Sequence, residues 1–352
     1  MSEAVVTAPP QTATGAALVT RLSSLDAARG LAALAVALFH FTGSPAMQAV
    51  PWLHALGQVS WAGVEAFFVI SGFIVPASFA AFGTRIQDSM RFMVRRLLRL
   101  YLPFLAALIL AVLLNVGSSL APGYRGPGLV LPTLSELLCN LSYACEFSGH
   151  AWIIPVFWSL AIEIQFYLLL MLMVPMLGMR LGARTIGPAM IGVTLALLLV
   201  LAPYSPKVLV LHDLPLFSCG FFAWLWHAGK LRALYGLLLM IGSLLLVAYT
   251  HGSIAAIAAA MTVLIAHFLQ RPWPVLIWLG TVSYSLYLIH IPIGGRVINL
   301  SLRVAESPPA LSAAVLAATA ICLFAAHVCW RFIEAPAQAY SRRVLRAQAG
   351  QP

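Results

Sequence analysis

Ten stretches of this chain are apolar over at least the length of a membrane-crossing helix, at about residues 26–43, 58–82, 100–118, 152–177, 186–203, 212–228, 231–249, 253–269, 275–299 and 310–334. A bilayer core takes about 17–25 helical residues to cross. Inside it each backbone N–H and C=O must be satisfied within the protein, which leaves helices or a closed barrel. Runs this long and this continuously apolar predict helices. The fold class expected is therefore all-α, a polytopic integral membrane helical bundle of about ten transmembrane helices. Composition agrees, since 62% of residues are hydrophobic, 9% are charged and mean hydropathy is +0.95. A soluble domain of 352 residues does not have these proportions.

The formal charge of +10 raises the question of a nucleic-acid partner, and its distribution answers against one. If the N-terminus lies inside, fourteen Lys and Arg residues fall in inner loops and tails, among them Arg21, Arg85, Arg91, Arg180, Arg184, Lys230, Arg271 and Arg343. The outer loops then hold three, Arg125, Lys207 and Arg303. That asymmetry is the positive-inside rule, and it predicts both termini in the cytoplasm. The organisation expected is a disordered cytoplasmic tail over 1–21, a membrane domain over 22–340 and a basic cytoplasmic tail over 341–352. The small, polar residues 1–20 lack the basic start and apolar core of a cleaved signal, and no hydrophilic stretch is long enough for a second folded domain. Cys219, Cys322 and Cys329 fall in spans as packing residues. Cys139 and Cys145 share the longest outer loop, where their spacing permits a disulfide without requiring one. No metal-ligand cluster competes for these thiols, and no metal is expected.

Ionisable groups inside the spans cost at least about 2.5–3.5 kcal/mol each on insertion scales, so each needs a reason. The first span carries Arg29 and, eleven residues on, His40. Eleven steps of about 100° return within about 20° of the same face, about 16 Å further along the axis. Asp26 faces roughly the same way, and its pairing with Arg29 at the interface is the simple alternative. Glu65 lies in the second span at a depth comparable with His40. A carboxylate beside an imidazole orients the ring and raises its basicity, as a general base requires; it can equally tie two helices together. Glu163 lies near the middle of the fourth span, with Ser159 and Tyr167 one turn to either side. At that depth it is expected to be protonated or paired, with Arg29 or a histidine as partners. In the ninth span Ser283, Tyr287 and His290 form one stripe, suited to a polyhydroxylated ligand or to helix packing.

Ahead of the third span, RFMVRRLLRLYLP places Arg91, Arg95 and Arg99 on one helical face with Arg96 alongside. Arginine forms multidentate phosphate contacts, so the ridge is a candidate dock for a phosphorylated ligand such as coenzyme A; anionic membrane lipids are the other candidate. A proton-coupled secondary transporter using His40, Glu65 and Glu163 as a relay also fits these intramembrane groups.

Taken in order, Arg29 and His40, FFVISGFIV with Glu65 before it, RRLLRLYLP, WSLAIEIQFYL, SYSLYLIH and the closing RFIEAPAQAY resemble the acyltransferase-3 family of integral membrane O-acyltransferases over about residues 22–340. The second-span acid, often Asp in that family, is Glu here. The resemblance implies an acyl-CoA donor, most often acetyl-CoA, a carbohydrate or lipid-linked glycan acceptor, no nucleic acid, and a bacterial inner (plasma) membrane. It implies Arg95, Arg96 and Arg99 on the nucleotide, Arg29 on the pantetheine arm, and His40, oriented by Glu65, as base. Glu163, Ser283, Tyr287 and His290 are the expected acceptor-binding residues.

Overall fold

The computed structural model describes residues 13–80, 85–121, 131–176, 187–269 and 273–348. Helices occupy most of them: α1 (Ala13–Phe41), α2 (Pro51–Val59), α3 (Gly63–Phe79), α4 (Ile86–Ser119), α5 (Leu134–Leu141), α6 (Cys145–Ser148), α7 (Phe157–Met176), α8 (Gly187–Leu201), α9 (Val210–His227), α10 (Ala233–His251), α11 (Ser253–Phe268), α12 (Pro274–Ile289), α13 (Gly295–Ser301), α14 (Pro308–Cys329) and α15 (Ala335–Gln348). Among the described residues there is no strand. Six rods are long and apolar enough to cross a membrane: Ser23–Phe41, Pro51–Phe79, Ile86–Ser119, Ala233–His251, Pro274–Ser301 and Pro308–Arg342. The shorter apolar helices Phe157–Met173, Gly192–Tyr204 and Ser253–Phe268 fall on the fourth, fifth and eighth expected spans. The sixth coincides with α9, whose first turn carries His212 and Asp213. The protein is a polytopic helical membrane protein.

Two expected boundaries move. The helix of the first span begins at Ala13, so residues 13–21 of the expected tail are helical, and α15 continues to Gln348 through most of the expected basic tail. Residues 1–12 and 349–352, and the linkers with Arg125, Arg180, Arg184 and Arg271, lie outside the described residues.

The bundle is apolar on both sides of its wall, as a lipid-embedded protein must be. Phe68, Phe166 and Phe217 stack in the interior at 4.1–4.9 Å between ring centroids, while Leu197, Leu245, Leu316 and Phe324 are exposed. With little hydrophobic drive between helices in lipid, close backbone packing of small residues does the joining. Gly72 of α3 and Gly220 of α9 mark one such place. A Cβ on Gly72 would lie 1.9 Å from the Phe217 carbonyl oxygen, and one on Gly220 would lie 1.9 Å from that of Val69. A second backbone contact joins α1 to α12, where a Cβ on Gly280 would meet the Asp26 carbonyl oxygen at 2.1 Å.

Two π turns interrupt the late helices, His290–Gly294 after α12 and Trp330–Glu334 after α14. Each lies beside a proline that cannot donate to a helical ladder, Pro292 and Pro336. Each also turns a buried polar group inward, His290 at 0% exposure and Glu334 at 2%. Outside the spans, Cys139 and Cys145 form a disulfide, closing α5 onto α6. Thr133 and Glu136 start α5 with a reciprocal capping box, whose bonds hold the Glu136 carboxyl below the usual carboxylate range.

Candidate active site

Between α1, α3, α4, α7 and α12 lies a narrow cavity whose polar lining is Arg29, Ser71, Arg96, Arg99, Ser159, Glu163, Tyr167, Tyr284 and Tyr287. Arg29 is 3.8 Å from Asp26, one turn before it. Arg96 lies over the Tyr167 ring, 4.9 Å from its centroid, and 4.0 Å from the Glu163 carboxylate. Glu163 Oε1 also accepts from Ser71 Oγ at 2.6 Å and from the Tyr167 hydroxyl. Its lone pairs are thus engaged by the cavity wall. Arg29 and Arg96 each sit near enough to Arg99 to repel it, and the Nε atoms of Arg96 and Arg99 are buried with no hydrogen-bond partner. Three guanidiniums facing one lining carboxylate, with donors unspent, suit a polyanion. Behind them Glu334 accepts from Ser285 Oγ at 2.7 Å and Gln338 Nε2 at 3.0 Å, within electrostatic reach of Arg29 and Arg99.

Ser159 and Tyr287 line the cavity as well, with two imidazoles beyond Tyr287. Tyr287 and Ser159 share a hydroxyl–hydroxyl bond of 2.5 Å, and both lie against the Val156 carbonyl. One turn beyond Tyr287, the His290 ring stands 5.9 Å from the Tyr287 ring and 5.2 Å from that of His40. Nδ1 of His290 lies 2.8 Å from the Tyr287 carbonyl and 3.2 Å from that of Leu286. A carbonyl can only accept, so Nδ1 carries the hydrogen. Nε2 keeps a lone pair, and this atom is buried with no partner. An imidazole with an unengaged Nε2 and a second imidazole thus stand beside Tyr287, next to a cavity whose lining includes the arginines.

The family model described as an acyltransferase domain matches residues 22–327. The chain belongs to the acyltransferase-3 family. Among relatives in this and similar proteins, YrhL of Bacillus subtilis (strain 168), provisionally named a peptidoglycan O-acetyltransferase, is 27% identical over 380 residues, 92% of this chain and 56% of that protein. BcsY of Komagataeibacter xylinus, provisionally named a membrane-bound transacylase, is 30% identical over 227 residues, 62% of this chain and 48% of that protein. The chain spans about half the length of the relatives it matches. No solved structure gives a significant match. Family membership does not favour the transporter alternative.

Within this acyltransferase-3 member, the structure rearranges several of the expected partnerships. Glu65 does not orient His40: among the described residues no hydrogen bond joins them, and the nearest rings to His40 are Phe39 and His290. Glu65 instead lies in the first turn of α3, on the helix face that packs on α9, within electrostatic reach of Asp213. Glu163 pairs with Arg96 rather than with Arg29 or a histidine. The arginine ridge divides. Arg96 and Arg99, three apart, line the cavity, whereas Arg95 is exposed elsewhere on α4 and Arg91 pairs with Asp88 at 3.7 Å. A spacing of four put Arg95 with Arg99, but the buried face of α4 follows the spacing of three. Ser283 is fully buried and donates to the Gly280 carbonyl at 2.7 Å, so it belongs to helix packing.

Ser71, Tyr284 and Glu334 were not singled out from sequence as parts of the site. Ser71 is a hydroxyl inside an apolar run, and Glu334 stands two residues before a proline at the end of a mostly apolar span; both are visible signals. Tyr284, which donates to the Leu100 carbonyl at 2.8 Å, carries none.

Proposed function

We propose that this protein moves an acyl group, acetyl being the expected one, from cytosolic acyl-CoA to a hydroxyl of a carbohydrate or lipid-linked glycan. The observation that carries the reading is one cavity lined by arginines, with an imidazole pair beside its Tyr287. In this reading Arg96 and Arg99 hold the donor's phosphates. The pantetheine arm, comparable with the about 16 Å between the levels of Arg29 and His40 on α1, runs past Arg29 toward Tyr287. The acceptor oxygen attacks the thioester carbonyl while an imidazole takes its proton. The tetrahedral intermediate then collapses, the C–S bond breaks, and the CoA thiolate leaves to be protonated. His40 is the base. His290, with its hydrogen held by the Tyr287 carbonyl, is the polar neighbour that accepts from the His40 imidazolium as it forms. The Tyr287 hydroxyl, accepting from Ser159 Oγ and turned from the Val156 carbonyl, is placed to donate to the developing oxyanion. Bacterial inner-membrane placement with cytoplasmic termini belongs to the same reading, because it puts the arginine end on the side where acyl-CoA is made.

The test is purified protein with acetyl-CoA carrying a labelled acetyl group, scored for label in a glycan fraction and for release of free CoA. His40→Ala is expected to lower kcat by about 10²-fold or more while leaving donor binding within about threefold. Retention of more than about a tenth of kcat removes His40 from the base role.

A further inference from the structure

We propose that His212, Asp213 and His251 form a divalent-cation site of the zinc type, built where α9 begins and α10 ends. One potential ligand atom from each lies within 4.8 Å of the others. The two histidine rings stand 4.6 Å apart between centroids, and Nε2 of His251 is 2.9 Å from Oδ1 of Asp213.

Unpartnered acceptors carry the argument. His251 Nδ1 lies 2.7 Å from Thr250 Oγ1 and its Nε2 lies against Asp213 Oδ1, and a hydrogen between that last pair satisfies Oδ1 alone. Three further buried acceptors around it have no hydrogen-bond partner: Asp213 Oδ2, His212 Nδ1 and Glu65 Oε2. Asp213 is 4% exposed and Glu65 7%. One divalent cation serves the set, taking His251 Nε2, His212 Nδ1 and the Asp213 carboxylate.

Two imidazoles and one carboxylate are a borderline ligand set matched to Zn²⁺, which such sites hold with a fourth position left for water or a further ligand. Glu65 lies within electrostatic reach of Asp213 and is the protein group nearest in kind for that position. The outer partners expected of ligating histidines are present as well: His251 on Thr250, and His212 hydrogen-bonded to the Ala202 backbone. Zinc ligand atoms sit about 3.3 Å apart around a metal at about 2.0–2.1 Å, so the partly exposed His212 ring closes the set by rotating toward Asp213. Such a metal would pin α9 and α10 together close to the first turn of α3. Residues 212–213 and 251 are too far apart in sequence for ligand spacing to have revealed them, which is why no metal was expected.

The experiment uses the full-length protein in detergent, equilibrated with zinc chloride, freed of loose metal by desalting and measured by inductively coupled plasma mass spectrometry. About one zinc per chain is expected, with loss of most of it in both His251→Gln and His212→Gln. Chelation should lower the Tm of the wild type and leave that of the variants unmoved. Size-exclusion profiles matching wild type certify that the variants are folded; the partly exposed His212 is the safer of the two. Wild-type protein holding less than about 0.2 zinc per chain overturns the proposal, as does equal zinc in wild type and the folded His212→Gln variant. Neither result depends on acyl transfer.

Discussion

The Arg96–Glu163 pair allows a prediction whose size follows from geometry. The charges are 4.0 Å apart, with side chains 15% and 20% exposed. At an effective dielectric of about 20, that separation is worth about 4 kcal/mol of attraction, which desolvation of the two ions partly cancels. Removing one partner leaves the other charge enclosed, so Glu163→Gln should cost about 3 kcal/mol of stability. Gln keeps an oxygen for Ser71 and Tyr167, so the loss reports the charge and not those bonds. Arg96→Met should cost a similar amount. The double variant should cost about 2 kcal/mol less than the sum, because neither side is then stranded. Chemical unfolding of the four proteins in mixed micelles gives the cycle. Titration with acetyl-CoA supplies a second axis on which the singles separate: Arg96→Met should raise the donor Kd by about tenfold, about the 1.4 kcal/mol of a lost charged contact, whereas Glu163→Gln removes an anion from an anion site and should not raise it. Additive stabilities within about 0.5 kcal/mol, or equal weakening of donor binding by both singles, would refute the pair as a charge clamp on a phosphate-binding cavity.

Three further outcomes follow from the same geometry. Arg99→Gln should raise the donor KM several-fold while Arg95→Gln leaves it unchanged, measured by steady-state kinetics at saturating acceptor, because Arg99 alone of the two lines the cavity. Gly72→Ala drives a methyl into the Phe217 carbonyl and should shift the detergent-solubilised protein from a monodisperse peak to aggregate in size-exclusion chromatography, since the obstacle is backbone and cannot rotate away. Cys139→Ser opens a loop whose ends are six residues apart, and chemical unfolding should register about 2 kcal/mol with kcat unaffected.

The helices were legible because hydrocarbon admits so few alternatives: ten apolar runs became ten rods or parts of rods. Arg29, Arg96, Arg99, Glu163 and Tyr287 were legible as cavity groups because charge and hydroxyl in an apolar span are costly and therefore conspicuous. Partnerships were harder to read. Glu65 and His40 share a depth, but depth leaves rotation about the helix axis free, and the Gly72–Phe217 contact turns that face of α3 toward α9. His290 stood out in sequence, yet its pairing with His40 depends on how α12 packs against α1, which spacing along either helix does not reveal. The His212–Asp213–His251 set joins a helix start to a helix end 38 residues later, a meeting that only the packing of α9 against α10 creates.

On the proposed reading a bulky nucleotide thioester enters the bundle, which then has to part somewhere, and the glycine contacts limit where. The α1–α12 and α3–α9 pairs touch through their backbones, so neither can slide by a fraction of a residue without a carbonyl colliding with a carbon. They behave as two fixed jaws. The helices that bring Arg96, Arg99 and Glu163 to the cavity, α4 and α7, meet each other through rings such as Phe104 and Phe157, 4.5 Å between centroids, and rings can slip past one another. On that same reading, loading and unloading of the proposed donor would fall to α4 and α7 as a swinging door. A cross-link between them should trap donor already inside and bar entry from outside, while a cross-link between α3 and α9 should change neither.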